Sequence, residues 1–311
     1  MPNNRSCPAS NLPVLLSLLL LASNLAPAAT NVFFTVADTA LLEVSPTNNL
    51  GGFRGMNAGV TQEYNRTRAL FRFDLSTLPT NTVVLAARVQ LVVTRQPGVG
   101  EPINNASFGL HRMLVPWGEG NKNPTFQAGK GLPASPGEAT WNYAFYPTNA
   151  WSSPGGTSGV DFSDTESSFQ FIYGTDDAFY SFDSTPEMVD DVTDWIRHPQ
   201  NNFGWMLLCA DESTQSTARR FATREAPDNQ PFLELEYLVP PAMQVTRTNP
   251  PQTQLHFTAW AGQTYDVLYR DSLATGNWLP LTALPASETN YAALVTDTSS
   301  VTQRFYRVSS H

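Results

Sequence analysis

The stretch Arg68-Ala69-Leu70-Phe71-Arg72-Phe73-Asp74-Leu75-Ser76-Thr77-Leu78-Pro79 decides the fold class. Taken two residues at a time, Ala69, Phe71, Phe73 and Leu75 share one face, and Arg68, Leu70, Arg72 and Asp74 share the other. This is a half-apolar strand running into a Ser-Thr-Leu-Pro turn, and it reads as a central strand of a sheet. Arginine rarely enters a sheet unpaired. The two arginines therefore either neutralise acids on a solvated face or meet an anion, and the functional reading turns on that choice.

Similar patterns lie on both sides of this stretch. Residues 32–36 and 41–44 read as two short strands ahead of the turn Pro46-Thr47-Asn48-Asn49-Leu50-Gly51-Gly52. Residues 83–94 alternate Leu85, Ala87, Val89, Leu91 and Val93 against Arg88 and Gln90. Strand patterns return at 107–114, 169–174, 178–182, 203–209, 219–225 and 232–237. One helix is expected near 190–197, with Val192, Trp195 and Ile196 as its apolar stripe and Pro199 as its stop. Between Pro116 and Ser168 the periodicity lapses, but Trp117, Trp141, Trp151, Tyr143 and Tyr146 in that stretch predict an ordered loop region.

These elements predict an all-β protein. Residues 29–239 are expected to form a jelly-roll β-sandwich with one short helix. Val239-Pro240-Pro241 reads as a stiff linker. Residues 240–311 are expected to be a small second β-sandwich, with strands near 255–260, 264–270, 291–295 and 304–308.

Residues 1–28 carry the pattern of an export signal: Arg5 precedes an apolar run over 12–22, and Ala26-Pro27-Ala28 fits small-x-small cleavage near Ala28. The run is too short to span a bilayer, so the expectation is a secreted, extracellular protein. Cys7 leaves with the signal and Cys209 stands alone, which allows no intrachain disulfide and predicts an inert buried thiol. Cleavage removes one of 18 basic residues and none of the 27 acidic ones, leaving a net charge of −10. Such a surface argues against a nucleic-acid partner. Lys122 and Lys130 are the only lysines, so nearly all positive charge sits on planar, bidentate guanidinium groups.

Taken together, Ala37-Asp38-Thr39, Asn48 to Gly52, Arg68 to Pro79, His111-Arg112, Pro116-Trp117-Gly118-Glu119-Gly120, Ala139-Thr140-Trp141-Asn142, Asn202-Phe203-Gly204-Trp205 and Phe221-Ala222-Thr223-Arg224-Glu225 resemble a DNRLRE domain. That group is related to family 96 carbohydrate-binding modules. The resemblance covers about residues 37–238 and implies a β-sandwich that binds polysaccharide, acidic alginate-like chains in particular. Residues 253–308 are similar to small C-terminal β-domains appended to secreted bacterial proteins, which implies an accessory role.

The candidate ligand-binding residues are Arg68, Arg72, Arg88, Arg220 and Arg224, which would line one sheet face and hold uronate carboxylates in fork geometry, with Tyr146 and Trp151 as sugar-stacking residues. The competing reading of the arginines is a ladder of cross-strand pairs with acids such as Asp74 and Glu225. Trp117 and Trp141 are expected to be structural. Asp38, Asp74, Asp161, Asp164, Asp176, Asp177 and Asp183 offer oxygens for a structural Ca²⁺, without an EF-hand spacing to assign them. His111, His198, His256 and His311 are too scattered for a zinc site.

No nucleophile elbow or phosphate cradle is present in the sequence, and a pair such as Glu119 with Glu138 is weak ground for a glycosidase. The expectation is a non-catalytic carbohydrate-binding protein without a catalytic cofactor. The alternatives are a structural or adhesive extracellular spacer and a polysaccharide lyase or hydrolase.

Overall fold

The computed structural model describes residues 28–310 apart from 99, 126–127, 249–251 and 302. The export-signal pattern, with Cys7, lies outside these residues, as does His311. The regular structure of the described residues is almost wholly antiparallel strand, with one α-helix, as the alternating patterns predict.

The larger part begins with β1 (Ala29–Leu42), β2 (Asn48–Asn49), β3 (Gly55–Val60), β4 (Arg66–Phe73), β5 (Val83–Arg95) and β6 (Ala106–Met113). Short strands β7 (Leu132–Pro133), β8 (Tyr143–Phe145) and β9 (Asn149–Ala150) punctuate the loop region, and β10 (Phe162–Ile172) and β11 (Ala178–Phe182) follow it. After helix α1 (Pro186–Arg197) come β12 (Trp205–Cys209), β13 (Arg219–Ala222) and β14 (Phe232–Leu238).

Two strands join the layers. The first half of β1 pairs with β14, and beyond a bulge between Thr35 and Ala37 its second half pairs with β4. The expected pair of short strands is therefore one long strand, because the bulge turns the chain without ending it. In the same way β3 pairs with β13 through Gly55–Ala58 and with β4 through Gly59 and Val60. The strands β1, β14, β5, β13, β3 and β4 thus close into a ring of six. Beyond the ring, β12, β6 and β10 extend from β4, and β11 borders β5.

The main core fills the space between the layers. Ala69, Phe71 and Phe73 of β4, with Trp205 and Leu207 of β12, meet Val89, Leu91, Phe221, Leu233 and Leu235. Leu85 was expected inside but is 45% exposed, since an irregularity where Ala86 and Val84 face Glu236 and Tyr237 changes the phase of β5. Helix α1 packs on β5 and β10 and adds Met188, Val192, Trp195 and Ile196 to the core, with Trp195 set 4.5 Å from the Trp205 ring. It starts one turn earlier than expected because the Thr185 hydroxyl accepts from the Met188 N–H and Pro186 occupies the first turn.

A second apolar cluster lies on the opposite face of β4 and β12. There Leu70, Met206 and Leu208 pack under Met113, Trp117, Trp141, Trp151 and Phe162. The aperiodic loop region is therefore an ordered cover for the outer face of that layer. Each large apolar side chain fully buried there contributes about 1.5–3 kcal/mol.

The C-terminal part holds β15 (Gln244–Arg247), β16 (Thr253–Ala259), β17 (Tyr265–Arg270), β18 (Leu279–Leu284), β19 (Tyr291–Asp297) and β20 (Phe305–Ser310). They form two three-stranded sheets with a core of Leu255, Phe257, Ala259, Tyr265, Val267, Ala293 and Val295. Among the described residues no strand of this part pairs with the larger sheet. No helix among the described residues is long and apolar enough to cross a membrane.

Candidate functional site

The five arginines expected to line one face fall on two layers and a loop. Arg68 and Arg72 share the covered outer face of β4 with Leu70. Arg88 and Arg220 lie on the outer face of the other layer, and Arg224 follows β13 in a turn. A single arginine row does not form, because β4 and β5 belong to opposite layers.

Arg68 is buried and fully engaged. Its Nε and Nη2 donate to Glu212 at 2.9 and 2.6 Å, and its Nη1 donates to the carbonyls of Gly155 and Gly156 at 2.8 and 3.1 Å. The guanidinium also lies 5.4 Å from the Trp141 ring. Its expected ligand role is corrected, since the loop region covers the strand face from which it projects. Trp151 is corrected for the same reason: it is 5% exposed and donates from Nε1 to the Thr140 carbonyl at 2.8 Å.

Arg88 is exposed and paired with Asp183 at 3.2 Å and with its cross-strand neighbour Glu234 at 2.9 Å. This is the ladder arrangement, and pairs so exposed add little stability. Arg224 grips Glu119 through Nε at 2.6 Å and Nη2 at 3.0 Å, and it also reaches Glu225 at 3.0 Å. Tyr146 is half-buried with its ring edge-on to Tyr143 at 5.4 Å. Arg72 is half-buried and, among the described residues, forms no ion pair within 4.0 Å; it lies in a small cleft with Val36, Asp74, Pro199 and Asn202.

Arg220 differs from the paired arginines. Its Nε donates to Asn57 Oδ1 at 3.2 Å, and its guanidinium lies 5.1 Å from the Phe53 ring. Burial, and then repulsion from Arg95 and Arg54, push it down to about 10. An irregularity in the β5–β13 pairing sets Arg220 opposite Arg95 and Phe221 opposite Val93, so Thr94 is the extra residue. That bulge brings Arg95 to the same side as Arg220. None of Arg54, Arg95 and Arg220 forms an ion pair within 4.0 Å among the described residues.

Two grooves, of about 290 and 360 Å³, share Arg95 and Arg220 as walls. One also presents Asn57, Thr61 and Gln96, the other Phe53, Arg54 and Asn229; the acids Glu63 and Glu101 line the first and Asp228 the second. Sequence reasoning found Arg220 and missed Arg54 and Arg95. Arg54 follows Gly51-Gly52-Phe53 in a turn, and the plain alternation of β5 places Arg95 on the other face from Arg88; only the bulge brings it round.

A second polar cluster joins distant segments. Asp38 of β1 has no exposed surface, and its Oδ2 accepts from the Arg224 N–H at 2.8 Å. Its own N–H donates to Glu119 Oε1 at 2.9 Å. Burial first, and the neighbouring Glu225 and Glu119 carboxylates next, outweigh the lowering influence of Arg224 and push Asp38 up to about 8. Of the other aspartates suggested for a cation, Asp161 is occupied by Ser152 and by the Thr157 N–H, and Asp74 by the Ser76 N–H.

A pairing of Glu119 with Glu138 for hydrolysis draws no support. Glu119 is held by Arg224, while Glu138 accepts from the Asn121 and Ser135 N–H groups and lies 3.6 Å from Lys122. Cys209 is free and buried. No protein-family model matches the chain, and no curated protein matches it.

Proposed function

We propose that this is an exported, non-catalytic protein whose larger domain, residues 29–239, binds an acidic polysaccharide through Arg54, Arg95 and Arg220. The observation that carries the reading is three clustered guanidinium groups that form no ion pair within 4.0 Å among the described residues, in a protein that has an excess of acids. A cation left unpaired beside two others is unfavourable unless it meets an anion, and perturbed clusters of this kind mark functional sites. Planar forks suit uronate carboxylates, and Asn57, Gln96 and Asn229 suit sugar hydroxyls. The resemblance to DNRLRE domains and family 96 carbohydrate-binding modules points the same way.

In this proposal the larger domain is a jelly-roll-type sandwich: its two facing layers support that description, and the closed six-strand ring equally supports a barrel. Residues 240–311 form a separate accessory domain. A structural spacer is the second reading, and the acid-paired state of Arg68, Arg88 and Arg224 favours it.

Affinity electrophoresis of the protein in gels containing alginate, pectin, xylan or no polymer separates the two readings. Retardation by the uronate polymers, lost in Arg95→Gln and Arg220→Gln variants with unchanged circular dichroism, is the expected result. Equal mobility in every gel refutes the binding proposal and leaves the spacer.

A further inference from the structure

We propose that Asp38, Glu119 and Glu225 bind one Ca²⁺ ion, which ties the loop region and the turn after β13 to β1. One carboxylate oxygen from each residue lies within 4.8 Å of the other two. Oxygens around a cation at 2.3–2.6 Å span about 4.6–5.2 Å across the shell, whereas Mg²⁺ at about 2.1 Å spans only about 4.2 Å. Separations of no more than 4.8 Å fit within a calcium shell, and magnesium, which dehydrates reluctantly and demands octahedral geometry, suits a site of three protein carboxylates less well.

A second observation is independent of the acids being near one another. Asp38 is wholly buried, and among the described residues its Oδ1 has no hydrogen-bond partner; Glu225 Oε2 is also buried without one among them. Buried carboxylate oxygens are ordinarily satisfied, and two orphans in one cluster call for a partner. Arg224 cannot fill that role. It already spans Glu119 and Glu225 Oε1, so its guanidinium fixes the cluster from one side.

The charges give the same answer. With all three carboxylates ionised, as ligation requires, one guanidinium leaves two negative charges to be balanced in a largely desolvated site. A divalent cation cancels them, with the remaining coordination positions going to backbone carbonyls or water. The three ligands come from positions 38, 119 and 225, so the ion cross-links segments far apart in sequence. Its effect is on stability, and it does not rest on the polysaccharide site.

The test uses the full protein stripped with EDTA and titrated with CaCl₂ by calorimetry, with thermal melts alongside. The expected result is one calcium per chain and a rise in Tm of about 5–10 °C at 100-fold excess over Kd, with a much smaller rise in MgCl₂. Glu225→Gln and Asp38→Asn should each weaken binding at least about tenfold, as loss of one charged ligand does, and should abolish the Tm rise. Asp38→Asn can still accept from the Arg224 N–H; if it nevertheless fails to fold, Glu225→Gln decides. Absence of a calcium response in the wild type, or wild-type affinity in the folded variants, overturns the proposal.

Discussion

Replacing Arg68 by methionine tests whether this arginine holds the fold together. The substitution keeps the apolar stem and removes four hydrogen bonds, two to Glu212 and one each to the Gly155 and Gly156 carbonyls. The Arg68 side chain is 9% exposed and that of Glu212 20%, so the stranded carboxylate recovers only part of its hydration. Removing one partner of a buried pair costs about 3–5 kcal/mol, and each orphaned carbonyl adds about 1 kcal/mol or more, though these penalties overlap. The expected loss is about 4 kcal/mol. Urea denaturation followed by tryptophan fluorescence reads it directly, since Trp141 contacts Arg68. Adding Glu212→Met should restore about 1–2 kcal/mol by removing the stranded charge. A loss below about 1 kcal/mol, or a double variant no more stable than the single, refutes the reasoning.

Three further outcomes follow from single contacts. Gly204 has φ +75°, and a Cβ there would sit 2.0 Å from the Phe71 carbonyl oxygen; Gly204→Ala should lower stability by at least about 3 kcal/mol or prevent folding, and a wild-type melting curve would contradict this. The Arg66 guanidinium, with the Arg66 N–H, outweighs partial burial and holds Glu43 below the usual carboxylate range. Because the folded value is depressed, the stabilisation is complete above the unfolded pKa of about 4.3 and is lost as pH falls through the folded value. Tm should therefore fall less steeply below about pH 4 in Glu43→Gln than in the wild type, and identical profiles would sink the assignment. Cys209 is 3% exposed, and burial pushes its thiol up; an aromatic disulfide reagent should leave it untouched in the native protein and titrate it fully in urea.

The alternation of Ala69, Phe71 and Phe73 against Arg68, Leu70 and Arg72 correctly separates the two faces of β4. Alternation fixes which side chains share a face, and that much is local. What covers the face is set by residues far away: Glu212 meets Arg68 across 144 positions. For the same reason Arg68, Arg72, Arg88 and Arg220, each correctly placed off the apolar side of its own strand, and Arg224 in a turn did not make one row. Irregularities defeated the period at β1, at Leu85 and at Thr94, and the last of these concealed Arg95. Trp117, Trp141 and Trp151 did foretell an ordered loop region, because burying such rings outweighs the entropy of fixing the loop.

In the proposed function, an acidic protein attracting an acidic polymer through three arginines sets two electrostatic effects against each other, with different ranges. The repulsion comes from a net charge of −9 spread over the whole surface, so most of it acts beyond about 10 Å, the Debye length near 0.1 M salt. The attraction comes from guanidinium–carboxylate contacts of about 3 Å inside grooves, where screening is weaker. Raising salt from about 10 to 100 mM should therefore remove more repulsion than attraction, and retardation by alginate should hold steady or increase over that range. Only above it should binding weaken, as the contact pairs are screened in turn. A polycationic patch without the opposing field behaves otherwise, since its binding falls steadily from the lowest salt. A monotonic, steep decline from 10 mM onward in the wild type would show that the three arginines act as a diffuse positive surface, and it would remove the case for uronate held in fork contacts at Arg54, Arg95 and Arg220.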